Sequence, residues 1–505
     1  MALLGIDIGT SATKGLALSA DGRQLAAARV AYPIAYPRPG WAELDTSLVR
    51  AALMTVIHDL GLAAATQGDP VTALAMSVSG DEATPVDRHF NALYPCMMSM
   101  DTRSVETARA AEDKLGGDYF YRVTGLPPAP NFPLIRLLWL RDHEPGVFAR
   151  THKFLCWGEL AQTWLGAPAI IDHSNASRTL AFDLTTLAWS TDILEAVGLA
   201  PGLLPECQPS GTNIGNVSER VLEELDLDGP IAVVTGGMDQ AMAALGTGAT
   251  DFGQAVLDLG TWEALTIATP RPLTTPALRQ AGIAFGCHVI PDTFTAMATN
   301  PNGGAVTRWV DETLSAASAP VQPDDVEVAL SSQPKGPSSI TALPHLNGSY
   351  TPWMEPHATG VLFGIGPATT RADLLQALLE GNSYELRAST ELLTRAGLEM
   401  SRIIVAGGGA KSDRLIQMKA TILGREIVQV STSEAGTLAA ACTAGAGTGI
   451  FENAASAAQD LTTQVKIFFP DTGLSDQFQA GYNNYLTLHE LAKNFRDRKA
   501  ATTQM

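Results

Sequence analysis

The chain has 505 residues, 46% of them hydrophobic and 17% charged, with a formal net charge of −19. That length exceeds what one hydrophobic core supports, so two or three domains are expected, and the composition is that of a well-buried globular protein. The acidic balance, with no long Lys/Arg run to offset it, argues against nucleic acid and anionic membrane surfaces as partners. The five cysteines are odd in number and form no Cys-x-x-Cys, which suits a reducing compartment. The first residues carry neither a basic segment nor a long apolar one, so no signal peptide is expected. No apolar run is expected to approach the length of a membrane span. The expected location is the cytoplasm.

Strands and helices alternate along the chain, which predicts an α/β fold. The first element is an apolar strand that runs into Asp7-Ile8-Gly9-Thr10 and continues as a second apolar strand. The same arrangement recurs in mid-chain at Asp258-Leu259-Gly260-Thr261. Two β-hairpins with one kind of tip predict a duplicated domain, with the tips facing each other across a cleft as a phosphate clamp. Gly9 and Gly260 lack Cβ and let the backbone turn and approach an anion. Successive turn amides form an anion nest, Thr10 and Thr261 add hydroxyl donors, and Lys14 adds a cation. An acid beside phosphates, Asp7, makes physical sense when Mg²⁺ lies between them. The domain boundary falls near 245–255.

Between the hairpins, residues 49–65 read as an amphipathic helix and 71–78 as a buried strand. That strand ends at Ser79-Gly80-Asp81-Glu82, where a ligand could be met. Residues 132–142 read helical, 205–218 as loop, and 231–234 as a buried strand entering Gly236-Gly237-Met238-Asp239. Asp239 falls at the expected start of a helix, whose dipole favours the carboxylate form. A carboxylate in a cleft can accept the proton of a substrate hydroxyl, and phosphoryl transfer, with its loose transition state, tolerates a weak base. Helix capping would also account for an Asp there; its place just before the second hairpin favours function.

Further on, 270–280 and 333–360 read as long loops, 372–396 as one long helix or two, and 402–406 as a strand. Gly407-Gly408-Gly409 then leads into a helix over 413–423. That helix start, with Gly408, Gly409 and Ser412, can hold an anion or ribose. It matches neither the G-x-G-x-x-G nor the G-x-x-x-x-G-K-[ST] pattern. Phe478, Tyr482, Tyr485, Leu488, Leu491 and Phe495 recur at helical spacing and read as a packing stripe. The tail beyond Arg496 reads as loose.

These motifs, in this order, resemble the FGGY family of carbohydrate kinases, within the sugar kinase, actin and Hsp70 superfamily. The resemblance extends over nearly the whole chain. The segment from Pro133 to His143 matches one family signature, with Arg136 in place of the usual Lys. Gly360–Ile365 with Asp373–Glu380 matches the second, and Glu434–Ala441 matches a late Glu-Ala element, with Ala439 where Gly is usual. The resemblance implies an α/β fold of two duplicated ribonuclease H-like (actin-like ATPase) domains around a central cleft. Residues 1–248 would mainly bind sugar, 249–472 would mainly bind nucleotide, and 473–505 would form a terminal helix and tail. It implies ATP-dependent phosphorylation of a small sugar or polyol. Asp239 would be the catalytic base and Asp7 would serve Mg²⁺. Thr10, Lys14 and Thr261 would hold the transferring phosphates, and Gly408, Gly409 and Ser412 would line the nucleotide.

The substrate segments resemble the family less. Xylulokinases usually carry Met-His, and glycerol kinases Arg-Glu, where this chain has Asp81-Glu82. Ser99-Met100-Asp101-Thr102-Arg103 resembles the Asp-x-Arg of xylulokinases. Asp81, Glu82 and Asp101 are the expected substrate-binding carboxylates, and they disfavour an acidic sugar unless Arg103 offsets them. Trp41 either stacks on a sugar face or packs within its loop. The reading is a xylulokinase-like kinase of a ketose or polyol. The alternatives are a family member with a glycerol-like or signalling-sugar substrate, and an actin- or Hsp70-like ATPase. A homodimer is the default oligomer.

Overall fold

In a computed structural model, residues 1–314, 323–432 and 434–503 are described. Two seven-stranded sheets repeat one plan. In the first, β1 (Ala2–Ile8), β2 (Ala12–Ser19) and β3 (Gln24–Ala31) form an antiparallel meander. On its other side β1 pairs in parallel with β4 (Val71–Val78). Then β5 (Asn213–Asn216) pairs with β6 (Ala232–Val234), and β6 and β7 (Gly237–Met238) both run parallel to β4. In the second sheet β8 (Gln254–Leu259) is the equivalent of β1. It pairs antiparallel with β9 (Glu263–Thr269), and on its other side it pairs in parallel with a later strand. The remaining strands are β10 (Ala284–Cys287), β11 (Phe294–Asn300), β12 (Arg402–Ala406), β13 (Ile427–Val430) and β14 (Gln464–Phe468), in the spatial order β10-β11-β9-β8-β12-β13-β14. The first strand of each hairpin is therefore buried mid-sheet, which explains its near-continuous apolar sequence.

Helix α1 (Thr46–Thr66) covers the first sheet, with Val49, Leu53, Ile57 and Leu60 packed in one cluster with Leu4, Ile6 and Leu74. Contrary to expectation, α1 is long and apolar enough to cross a membrane by length and composition, but half of its apolar window is buried inside the fold. The helix is apolar because it covers a sheet.

The helices that position the site are α2 (Pro133–His143), α3 (Asp239–Gly246), α4 (Gly303–Leu314), α5 (Pro323–Ser331), α6 (Arg371–Arg395), α7 (Asp413–Leu423) and α8 (Ala435–Gly447). Helix α8 returns from the second half of the chain to lie on the first sheet. A Cβ at Gly5 would come within 1.8 Å of Thr437 O, and one at Gly246 within 1.9 Å of Ala435 O, so these glycines permit the close approach. Helix α3 touches both cores. Its Ala241 and Leu245 pack with Leu3 and Leu438, while its Ala244 packs with Val256 and Ile404 of the second sheet. An α-helix apolar on several faces belongs between two layers, and α3 is the helix that starts at Asp239.

Several expected loops contain short elements. Glu206–Gln208 and β5 are strands within 205–218, Pro276–Gln280 is a helix within 270–280, and Thr341–Leu343 is a strand within 333–360. These elements span too few residues to show a period among the surrounding Gly and Pro. The segment 372–396 forms the single helix α6. Helix α9 (Ser475–Thr503) continues past Arg496, where a loose tail was expected. Its stripe is split: Phe478, Tyr482 and Tyr485 are buried, while Leu491 and Phe495 are 61% and 70% exposed.

Candidate active site

The register of the first sheet assembles the first half of the site. Asp7, at the end of β1, stands opposite Ser77 of β4, and Ser77 stands opposite Gly237 of β7. Two residues beyond Gly237 comes Asp239. A Cβ at Gly236 would lie 1.6 Å from Met76 O, so only glycine lets this turn press against β4. Asp7 accepts a hydrogen bond from the Ser77 hydroxyl at 2.8 Å. Burial raises its pKa, opposed by the Ser77 hydrogen bond and by the Lys14 charge.

Asp239 is the first helical residue of α3; Met238 is the capping position. Its Oδ1 accepts from the Gln240 amide at 2.7 Å, and among the described residues Oδ2 has no partner. The expectation that the helix dipole keeps it ionised is corrected. Burial, and then the charges of Asp7 and Glu82, push Asp239 up to about 8. One helix end cannot outweigh desolvation and several carboxylates together.

The second hairpin supplies Asp258, the counterpart of Asp7, to which sequence reasoning gave no role. The repeat itself was the signal. Asp258 lies opposite Ala406, accepts a long contact of 3.5 Å from Gln240 Nε2, and is raised in pKa by burial. Lys14 acts electrostatically on both hairpin acids. Asp7, Asp239, Asp258 and Lys14 therefore belong to one electrostatic cluster.

Neither Gly9 nor Gly260 has a positive φ. A Cβ at Gly9 would meet nothing closer than 3.4 Å, with Asp7 Oδ2 at 3.9 Å, so what glycine leaves there is space beside the acid. Gly407 is different: its φ is +84°, and a Cβ would lie 2.3 Å from Asp258 Oδ1. Lys14 is not a free cation, because its Nζ is 2.9 Å from Glu434 Oε2.

Gly260, Thr261, Gly408, Gly409 and Ser412 all line one cavity of about 410 Å³, within the size range of ligand pockets. Gly9, Thr10 and Lys14 do not line it. Gly303 and Gly304, at the start of α4, also line it, and the Gly304 amide donates to Gly260 O at 2.9 Å. Sequence reading passed over this pair. The start of α7 does not present a free anion site, because Glu327 of α5 occupies it. Glu327 Oε2 accepts from Ser412 Oγ at 2.7 Å and from the Arg414 amide at 3.0 Å. At the cavity wall Glu263 pairs with the fully buried Lys419 at 3.0 Å.

The three carboxylates expected to meet substrate differ in availability. Glu82 is fully buried, accepts from Ser79 Oγ and, at 3.1 Å, from the Ser99 amide, and is raised in pKa by burial. Asp101 accepts from the Ala42 amide at 2.7 Å and is clamped by Arg103, whose Nη2 is 2.6 Å away. Arg103 is itself 1% exposed, pairs with Glu43 and lies over Trp41 at 3.6 Å. Trp41 therefore packs on guanidinium, and Arg103 is not available to offset Asp81 and Glu82. Asp81 is bound by Arg178 and Asn131 instead. Arg136, in place of the family's Lys, is fully buried and donates to the carbonyls of Asp81, Met97 and Met98. It ties the Asp81-Glu82 loop to the segment of Met97 and Met98.

Two sheets of one plan, each ending a hairpin in an acid, with an Asp on the helix between their cores, define a two-domain phosphotransferase of the actin-like ATPase fold. The family models agree: residues 2–246 match the N-terminal domain of the FGGY family of carbohydrate kinases and residues 255–448 its C-terminal domain. The chain belongs to the FGGY family of carbohydrate kinases and is a sugar kinase that uses ATP. It is 25% identical to the xylulose kinase of Staphylococcus xylosus, over 97% of this chain and 99% of that one. It is 28% identical to the glycerol kinase of Citrifermentans bemidjiense, over 90% and 92%. Among solved structures, a xyloylose kinase from Brucella ovis superposes with a TM-score of 0.89 at 26% identity, over 98% of this chain and 100% of that one.

Proposed function

We propose that the chain transfers the γ-phosphoryl group of ATP to a hydroxyl of a neutral ketose or polyol of the xylulose kind, with Asp239 as general base. The observation that carries this reading is the placement of Asp239, at the start of the helix between the two cores, with Oδ1 on the Gln240 amide and Oδ2 without a partner among the described residues. Asp239 is held near a pKa of about 8 by burial and by neighbouring carboxylates, suited to taking a hydroxyl proton near neutral pH. The similarity to xylulose kinases over nearly the full chain supports the substrate class.

The sugar lies in the N-terminal half, 1–248, against the loop of Asp81 and Glu82, where Asp101 supports the loop around Trp41. The nucleotide lies in the second half, 249–472, in the cavity of Gly260, Thr261, Gly408 and Gly409; Ser412 shapes its wall through Glu327. Gly9, Thr10 and Lys14 serve the phosphates from the first hairpin. Asp7 and Asp258 fit Mg²⁺: both are raised in pKa by burial, and Mg²⁺ is commonly held by one or two carboxylates plus substrate phosphates. When bound, the ion neutralises phosphate charge. Five free cysteines fit a reducing cytoplasm.

The test is ADP production from Mg-ATP across ketoses, polyols and sugar acids, with a no-sugar control. A rise with a ketose or polyol is expected. Hydrolysis independent of any sugar would return the reading to an actin-like ATPase.

A further inference from the structure

The loop that separates this chain from both named substrate patterns is Gly80-Asp81-Glu82, and one side chain distant in sequence bonds to it. Arg178 follows a short helix, His173–Ala176, far from the loop in sequence. Its Nε donates to Asp81 Oδ1 at 3.1 Å, and its Nη2 lies 3.0 Å from the same oxygen. Asn131 Nδ2 donates to Asp81 Oδ2 at 2.8 Å. Among the described residues Arg178 Nη1 has no partner. The two side chains are 11% and 19% exposed, so the pair is largely withdrawn from water yet still reachable. The stem of Arg178 lies against Gly80: a Cβ there would be 2.8 Å from Arg178 Cγ and 3.0 Å from Met238 Cγ. Met238 immediately precedes Asp239, so the pair stands beside the proposed base.

The chemistry of such a pair is specific. A carboxylate offers about four acceptor sites and a guanidinium five donors. With Arg178 giving two of these hydrogen bonds and Asn131 a third, Asp81 keeps one acceptor site, while the Nη1 edge of the guanidinium faces away from it. A sugar hydroxyl satisfies that site by donating to Asp81, whose carboxylate Arg178 holds in place. A sugar carboxylate would instead compete with Asp81 for Arg178, near Glu82 and Asp239. Arg103 cannot relieve that repulsion, since Asp101 and Glu43 hold it.

We propose that Arg178 is a positioning residue that holds Asp81 to accept a hydroxyl of a neutral sugar, and that Asp81 so held selects against sugar acids. The proposal rests on the kinase reading above. Arg178 is the cation whose exchange changes the sign of the substrate wall.

The test uses full-length Arg178→Ala, Arg178→Lys and Asp81→Asn, with a neutral ketose, a polyol and an aldonic acid. KM and kcat for sugar, and KM for Mg-ATP, are measured, with melting temperature as the check on folding. Asp81→Asn keeps the loop's hydrogen-bonding shape and frees Arg178. It is expected to raise kcat/KM for the acid relative to the neutral sugar by roughly tenfold or more, the scale of one hydrogen bond to a charged group. Arg178→Ala is expected to shift that ratio the opposite way and to raise KM for the neutral sugar with KM for Mg-ATP unchanged; Arg178→Lys falls between. An acid-to-neutral ratio unmoved in both Asp81→Asn and Arg178→Ala overturns the proposal, as does a common shift in the sugar and ATP constants. Failure of the kinase reading shows separately, in wild-type protein that makes no sugar-dependent ADP; that result removes the proposal with it.

Discussion

Ser77 donates its hydroxyl to Asp7 Oδ1 across 2.8 Å, and the same residue faces Gly237 on the opposite side of its strand. One serine thus lies between the acid of the first hairpin and the turn that carries Asp239. Ser77→Ala is expected to release Asp7 without unfolding the sheet. The hydrogen bond lowers the Asp7 pKa, so its loss should weaken Mg-ATP use, read as a higher Mg²⁺ requirement at unchanged sugar KM.

Asp239 should dominate turnover. Asp239→Ala is expected to lower kcat by roughly 10²–10⁴-fold, the range for loss of a general base. Sugar-stimulated ADP formation measures it, and turnover within a few-fold of wild type would remove Asp239 from the mechanism.

The pH dependence has a definite sign. The reactive form is the carboxylate, so at limiting Mg-ATP kcat/KM for the sugar should climb with pH and level off above about 8. Stability should run the other way. The group titrates near 3.8 when unfolded and about 8 when folded. Between those values the folded state binds more protons, and stability falls as pH rises. Asp239→Asn is therefore expected to melt higher than wild type at pH about 8, with the gap closing toward pH about 4.

Gly407 and Lys14 separate nucleotide from sugar effects. Gly407→Ala puts a Cβ into a φ of +84° and 2.3 Å from Asp258. It is expected to raise KM for Mg-ATP or lower kcat by up to about 100-fold, the scale of a small misplacement, with sugar binding retained. The Lys14–Glu434 pair is partly exposed and contributes only about 0–1 kcal/mol as an ion pair. Lys14→Ala and Glu434→Ala should therefore melt alike. Only Lys14→Ala should raise KM for Mg-ATP; an equal effect of both variants would make the pair a structural tie.

Lys419 tests the wall of the cavity lined by Gly260, Glu263 and Gly408. It is fully buried against Glu263, itself 5% exposed. Lys419→Ala leaves that carboxylate buried without its cation and should cost roughly 3–5 kcal/mol. Urea melts measure it, and Lys419→Met with Glu263→Leu should recover most of the loss.

Much of the architecture was legible from local pattern. The two hairpins, the strand at 71–78 and the helix over 413–423 are each set by residues adjacent in sequence: apolar runs, a turn glycine, a capping Ser412. The repeat of Asp-x-Gly-Thr announced the duplication, and the strand order of the two sheets bears it out. What local pattern misjudged were short strands inside Gly/Pro-rich stretches and the exposed end of the last helix, where burial depends on distant neighbours.

The sequence by itself determined the family, the two acid-tipped hairpins and the chemistry they can perform, because those depend on residue types at fixed short spacings. Only the tertiary structure decided which carboxylates remain to meet a substrate. Asp101 is taken by Arg103 and the Ala42 amide, whereas Asp81, held by Arg178 from 97 positions away, keeps an acceptor site; the hydroxyl of Ser412 is likewise taken, by Glu327 from 85 positions away. The protonation of Asp239 was likewise set in three dimensions, by burial and by acids that different strands bring beside it. Electrostatic free energy depends on distance and dielectric, and neither is written in the order of residues along a chain.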